Sequence, residues 1–316
     1  MERQFKGETI IASKAGPLLQ GAVDMHYHGY PEMSLELTAR LEDVKMLELA
    51  RSMGMRAVVF KSNLWPTMGQ VYQLRERVPG IDIISSITLN SAVGGLSPWV
   101  VEAAAKLGAK VVWMPTWSSP HRADRLGVAE LLMQTCFPSM NFEPRLSAVD
   151  SSGKLLPEVS SIIKLAKDLD LAIGTGHLPP SDSLSIAREA EKIGFHKLIF
   201  THPISGSVGA KLEEMKEMVK CGAYVELLAL NVFLRQKLDD VLECITELGP
   251  DHCILSTDAF TEWIPPSPEF LRMFIGVLLH NGIDPKSIRT MVGDNPAYLI
   301  GLPPKQERDM SQGGAD

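Results

Sequence analysis

Val23-Asp24-Met25-His26-Tyr27-His28-Gly29 is an apolar run that ends in two histidines one residue apart. With Gly21-Ala22 before it, the stretch reads as a β-strand of about residues 22–28. Side chains alternate faces along a strand, so His26 and His28 are expected to point the same way, and Asp24 with them. Two imidazoles side by side on one strand face can share a metal ion. The bland alternative is one buried, hydrogen-bonded histidine beside one surface histidine. What decides between them is whether the rest of the chain supplies further ligands.

Runs of the same kind recur at residues 56–61, 81–90, 109–116, 171–177, 197–203, 223–229 and 252–258. Between them lie stretches with apolar residues at helical spacing, including 35–53, 98–107, 158–169 and 235–248, several of them stopped by a glycine such as Gly54 or Gly108. Near-continuous apolar strands alternating with helices imply a parallel sheet covered on both faces. Eight such units suit a (β/α)8 TIM barrel, which typically takes about 250 residues. A doubly wound open sheet is the rival, but no glycine-rich phosphate turn follows any strand; Gly174-Thr175-Gly176 lies inside one and lacks the third glycine. The expected architecture is a single barrel domain over residues 1–305, with a short N-terminal arm over 1–20 and an extended β4–α4 connection over about 117–157. A hairpin is expected at 145–155 with Gly153 in its turn, and a disordered polar tail at 306–316.

The 316 residues are 45% hydrophobic and 22% charged, ordinary for a globular protein with a full core. A net charge of −7 leaves no excess of Lys and Arg to neutralise phosphates, which argues against nucleic acid or an acidic membrane as partner. No apolar run approaches the roughly 20 residues of a membrane span, and the first residues lack a signal-peptide core, so a cytoplasmic enzyme is the expectation. The partner expected is a small-molecule substrate, with assembly into a homo-oligomer left open. Cys136, Cys221, Cys244 and Cys253 are scattered and form no Cys-x-x-Cys pair, so neither a disulfide framework nor a catalytic thiol is expected.

The reactive residues fall at strand ends. Lys61 ends the second strand, His177 the fifth, His202 the sixth and Asp258 the eighth, while Glu226 lies on the seventh. In a β/α barrel these ends converge on one mouth, which is where barrel active sites lie. His196 and His252 begin strands and His280 lies in a late helix, which places all three away from that mouth.

Asp24-Met25-His26-Tyr27-His28, Gly176-His177, Thr201-His202-Pro203, Ser256-Thr257-Asp258 and Asn295-Pro296-Ala297, in this order, resemble the amidohydrolase superfamily of metal-dependent hydrolases, and among them its poorly characterised members. The resemblance covers nearly the whole barrel. It implies that His26 and His28 ligate a divalent metal, most often zinc, with Mn or Fe as alternatives. His177 would be a third ligand or bind a second metal. His202 would bind metal or hold the attacking water, and Asp258 would ligate metal and take the proton from that water. Neutral imidazole and carboxylate suit Zn²⁺, and a carboxylate beside water is a suitable general base.

One departure stands out. Two-metal members usually carry a carboxylated lysine at the end of strand four, where this chain reads Trp113-Met114-Pro115-Thr116. The strand-end lysine here is Lys61, on strand two. It would serve as a carboxylated metal ligand from an unusual position, or as an ammonium that stabilises an oxyanion, or as a snorkelling surface lysine. Glu226 could be a partner for a histidine. His121, Arg122, Arg125 and Arg145 in the long connection, with Trp65, Trp117, Phe142 and Trp263 after strand ends, are candidates for the substrate wall. The reaction expected is hydrolysis of a C–N or C–O bond in an amide, lactam, lactone or ester. A decarboxylating lyase on the same ligands and a non-catalytic barrel are the alternatives.

Overall fold

A computed structural model describes residues 14–121, 134–137, 145–235 and 237–303. Most of the N-terminal arm, the 306–316 tail, Arg122, Arg125 and Phe142 lie outside the described residues. The strands are β1 (Val23–His28), β2 (Ala57–Lys61), β3 (Asp82–Thr88), β4 (Ala109–Trp113), β5 (Ala172–Gly174), β6 (Leu198–Phe200), β7 (Tyr224–Leu228) and β8 (Cys253–Ser256). Each pairs in parallel with the next, in chain order. The ring closes just beyond β8. Tyr27 bridges Ala259 in parallel, Asp258 N donates to His26 O at 2.9 Å and His28 N donates to Ala259 O at 3.0 Å. This is the (β/α)8 barrel that the strand rhythm predicts.

The strands are shorter than their apolar runs, so His177, His202 and Asp258 sit one turn of chain beyond β5, β6 and β8 rather than inside them. Helices alternate with the strands: α1 (Asp43–Ser52), α2 (Met68–Arg77), α3 (Pro98–Lys106), α4 (Pro157–Asp168), α5 (Pro180–Ile193), α6 (Leu212–Lys220), α7 (Ala229–Arg235), α8 (Leu238–Leu248) and α9 (Ser267–His280). The first differs from expectation, because residues 35–42 are loop and the helix starts at Asp43. That segment spends its polar groups on other loops: Arg40 Nη1 donates to Glu262 O at 3.1 Å, Thr38 Oγ1 donates to the Glu262 carboxylate, and Tyr30 Oη donates to Leu35 O at 2.8 Å. The expected hairpin reduces to one antiparallel bridge, Val149 to Leu155, around a turn in which Gly153 has φ +82°. Among the described residues no helix is long and apolar enough to cross a membrane.

Two apolar layers hold the barrel. Val23, Met25, Ala57, Val59, Ile84, Val111, Trp113, Ala172, Ile199 and Ile254 fill its interior, with Leu299 and Ile300 packed against them. Tyr27, Phe60, Met46 and Leu47 belong to the larger cluster between sheet and helices. Asn295 fixes the closing helix to the start of β8, its Nδ2 donating to Pro250 O at 2.9 Å and Cys253 O at 2.8 Å. Gly174 admits no side chain, since an added Cβ would lie 2.2 Å from the Trp113 ring.

The strand that opened the sequence reading carries an irregularity. The β1–β2 register shifts between Asp24 and Tyr27. Val23 and Met25 face the interior and Tyr27 faces the helices. The extra residue at the shift resets the alternation, so His26 and His28 turn inward after Met25. Asp24 therefore does not share the histidine face. It turns outward, where its carboxylate accepts from Ser267 Oγ at the start of α9 at 2.6 Å, from Thr257 N and His26 N at 3.1 Å each, and from Thr257 Oγ1. Burial raises this carboxyl to about 6 against those four donors.

Asp24→Ala leaves four buried donors without their acceptor and is expected to cost about 3 kcal/mol, read from urea unfolding of the metal-free protein. Gly174→Ala forces the Trp113 ring from its place and is expected to destabilise by about 2 kcal/mol or more in the same measurement. A wild-type midpoint for either variant would contradict the packing described.

Candidate metal centre

The mouth is assembled from the strand ends, and His26, His28 and His202 each have a carboxylate or hydroxyl beside a ring nitrogen. His26 Nδ1 lies 3.2 Å from both Glu226 oxygens, and its Nε2 lies 3.0 Å from Lys61 Nζ and 3.3 Å from Asp258 Oδ1. A protonated lysine can only donate, so His26 Nε2 is the acceptor and its proton sits on Nδ1, facing Glu226. His28 repeats the pattern. Its Nε2 is 3.2 Å from Asp258 Oδ1, and its Nδ1 is 3.1 Å from Glu32 Oε1. The His28–Glu32 contact is close but turned out of hydrogen-bond alignment, leaving Nδ1 without an aligned partner. His202 Nδ1 contacts Ser205 Oγ at 2.7 Å, and its backbone N–H donates to Glu226 Oε2 at 3.2 Å.

His26, His202 and Asp258 each present a ligand atom within 4.8 Å of the others. His28 joins them through Asp258. His177 lies alongside, its ring centroid 5.0 Å from that of His202, but it is not in the tight group. Backbone conformation helps to aim the set: His202 has φ +27° and Asp258 φ +55°, a region non-glycine residues seldom occupy. Such strain clusters where a site needs a side chain at a fixed angle.

The protonation states suit ligation. Burial holds His26 and His177 well below the usual imidazole range, with the Lys61 charge adding to the effect at His26 and the His202 charge at His177. Burial likewise takes His202 down to about 4. Burial pushes Asp258 up, but His26, His28 and His202 outweigh it and keep the carboxylate ionised far below its ordinary range. Burial also lowers His28, but Glu32 and Asp258 outweigh it and raise the ring overall, so a cation would displace its proton. Glu226, in the barrel interior, is raised by burial to about 7. The Lys61 amine is lowered by burial, against the pull of Asp258, Glu226 and Glu32. Lys61 is 1% exposed, which excludes the surface-lysine reading. Its Nζ stands 5.4 Å from the Trp113 ring, so the tryptophan at the end of β4 lies beside the lysine from β2.

The substrate-wall candidates divide. Trp117 is buried and packs edge-on to Phe137 at 6.0 Å, joining Met33, Leu37, Leu64 and Phe260 in an apolar cluster. Phe260 links His28, at 6.3 Å, to the exposed Trp263, at 6.0 Å. Trp65 is exposed. Arg145 Nη1 points to the carbonyls of Trp117 and Ser119, and His121 Nε2 contacts Val208 O at 2.8 Å, tying the loop after β4 to the loop after β6. Glu32 and its amide partners are absent from the sequence expectation. The spacing of Glu32, four residues after His28 in a loop, matches no ligand pattern that would have marked it.

A parallel eight-stranded barrel whose C-terminal mouth gathers imidazoles, carboxylates and a buried lysine is the class that fold and site define. Within that class, the chain belongs to a family of unknown function, DUF6282, which it matches over residues 21–226. No curated protein matches the chain. Solved structures share its fold at low identity. An amidohydrolase from Pseudomonas aeruginosa aligns with a TM-score of 0.57 at 13% identity, covering 92% of this chain and 98% of that one. A metallo peptidase from Rhodobacter sphaeroides, liganded with a phosphinate mimic of the dipeptide L-Ala-D-Ala, aligns at 0.60 and 12%, covering 90% and 99%. A mutant organophosphorus hydrolase from Deinococcus radiodurans aligns at 0.57 and 14%, covering 91% and 94%. At these identities the likeness is one of fold.

In the metal-free protein the His202 ring is expected to stay neutral from pH 7 down to about pH 5, because its folded pKa of about 4 lies below the unfolded value near 6.5. The unfolded chain binds the proton first, so this ring's contribution to stability is lost as pH falls through that window. Histidine ¹⁵N shifts read the titration directly; a cationic His202 at pH 6 would contradict the assignment.

Proposed function

We propose that the chain is a metal-dependent hydrolase of amidohydrolase type, acting on a C–N or C–O bond of a small amide, lactam, lactone or ester. The observation that carries the reading is the convergence of His26, His202 and Asp258 ligand atoms within 4.8 Å, with His28 Nε2 on the same carboxylate. Two neutral rings, an ionised carboxylate and a displaceable proton on His28 form a nitrogen and oxygen donor set that fits a divalent cation, zinc first. His26, His28, His202 and Asp258 would hold it, with His177 beside them. A cation bound there supplies Lewis-acid polarisation and lowers the pKa of water into the neutral range. The solved structures with this fold carry the names of hydrolases, which supports the reaction class at a coarse level.

The chain's own residues account for the rest. The Asp258 side chain is 17% exposed, the most open of the group, so it can reach both the ligands and a bound molecule. It takes the proton from the attacking water and returns it to the leaving group. Glu226 keeps the His26 proton on Nδ1 and thereby its lone pair on Nε2. That single lone pair cannot serve Lys61 and a cation together, so with a cation held there the Lys61 amine would be free to donate elsewhere in the mouth. We assign Lys61 to the ammonium role, donating to the oxyanion: burial lowers its pKa, and three carboxylates and the Trp113 face work against that lowering. A carboxylated lysine would add negative charge among those carboxylates. The lyase alternative drew on arginines near the mouth, of which Arg145 turns its Nη1 to backbone carbonyls. A cytoplasmic location goes with the same proposal.

Metal analysis of purified protein is expected to give about one divalent ion per chain, and Asp258→Asn to lower kcat by roughly 10²–10⁴ on whichever ester or lactone of a chromogenic panel is turned over. Protein that binds no metal, or a fully active Asp258→Asn variant, overturns the mechanism. Lys61→Met is expected to lower kcat by about 10²–10³ with metal content unchanged and no response to bicarbonate. Bicarbonate-dependent metal uptake would instead make Lys61 a carboxylated ligand.

A further inference from the structure

Both histidines of β1 present Nε2 to the Asp258 carboxylate and Nδ1 to a second carboxylate. For His26 that second group is Glu226, from inside the barrel. For His28 it is Glu32, in the loop directly after β1 and 4% exposed. The Glu32 carboxylate is anchored through Oε1, the same oxygen that lies 3.1 Å from His28 Nδ1. Its Oε1 accepts from Asn63 N at 2.8 Å and from Asn63 Nδ2 at 2.9 Å. Asn63 is braced in turn: its Oδ1 accepts from Thr116 Oγ1 at 2.8 Å, and its backbone oxygen accepts from Asn90 Nδ2, also at 2.8 Å. The Asn90 Oδ1 closes the chain on Thr116 N at 2.9 Å. Glu32 is thus tied to the ends of β2, β3 and β4. Two buried atoms of this pair of residues lack an aligned partner, Glu32 Oε2 and His28 Nδ1. Orphaned buried polar atoms are rare and call for an explanation.

We propose that Glu32 is a positioning residue that fixes the tautomer of His28, and so sets how tightly the mouth grips its cation. The inference rests on the metal reading above. With the proton on Nδ1 facing Glu32, the lone pair stays on Nε2, where Asp258 is. A small rotation of the ring brings Nδ1 into line with the carboxylate 3.1 Å away. The Asn63–Asn90–Thr116 chain spreads the cost of a buried carboxylate over three strand ends and keeps it from turning away.

The rival role for Glu32 is structural, a knot that only ties the β1 loop to β2. Glu32→Gln separates the two. An amide oxygen in the place of Oε1 still accepts from Asn63, but the negative charge that favours a proton on His28 Nδ1 is gone, so the Nε2–H tautomer competes and ligation there weakens. Asp43→Asn is the control: Asp43 accepts from Tyr27 Oη at 2.9 Å and Gln70 Nε2 at 2.6 Å near the same loop but holds no histidine. Co²⁺ affinity is measured by chelator competition, beside urea unfolding of the metal-free protein. Glu32→Gln is expected to weaken Co²⁺ binding by about 10–100-fold with metal-free stability near wild type, and Asp43→Asn to lower stability with affinity unchanged. Imidazole ¹⁵N shifts of the metal-free protein at alkaline pH, where His28 is neutral, are expected to move from an Nδ1–H pattern toward a mixture with Nε2–H in Glu32→Gln. Unchanged Co²⁺ affinity with an unchanged tautomer overturns the inference. A wild-type protein that takes up no Co²⁺ overturns the metal reading instead, and the ¹⁵N shifts then still decide whether Glu32 orients His28.

Discussion

The seam between the first and last strands is the constraint on which the site depends. Asp258 N–H to His26 O and His28 N–H to Ala259 O lock the end of β1 to the chain just past β8. Those two hydrogen bonds set three candidate ligands side by side, since the bonded backbones carry His26, His28 and Asp258. Beneath them the outward-facing Asp24 carboxylate gathers Thr257 and Ser267, so strand, strand end and covering helix meet at one buried anion. Were the seam to slip by one residue, parity would reverse and the histidines would face the helices.

Electrostatics at the mouth follow from that placement. Burial alone would neutralise every group there. Ionised forms survive where an opposite charge outweighs desolvation, as at Asp258 among imidazoles and Glu32 beside His28. Where it does not, the group moves toward neutrality, as Glu226 does. The result is a cluster in which proton positions are dictated by neighbours. At His26 the lone pair already has a fixed direction before any ligand arrives, because Glu226 holds the proton on the other nitrogen.

Much of this was legible in the sequence. Eight apolar runs with glycine-stopped helices between them specify the barrel, and the strand-end residues His26, His28, Lys61, His177, His202 and Asp258 converge because parallel strands end on one face. Three things were not legible. The irregularity at Asp24 leaves no local mark, since Val-Asp-Met-His alternates as well as any regular strand. Residues 35–42 carry apolar residues at helical spacing, but loop-to-loop bonds to Glu262 compete with the helix, and tertiary contacts decide. Glu32 is invisible because its meaning lies in Asn63, Asn90 and Thr116, on three other strand ends. Lys61 was legible as a strand-end residue, but its role depends on Trp113 filling the place beside it.

Trp113 carries one more consequence. Its ring lies under His26, with centroids 5.2 Å apart, and rests on a Gly174 that has no room for a methyl group. Val111, Ile199 and Ile254 fill the barrel below, and Leu299 and Ile300 pack against that filling. Among the described residues the floor of the site is therefore closely packed and largely apolar. In the reaction proposed, such a filling would leave the exchange of substrate and products to the mouth side, where the loops after β1 and β8 meet.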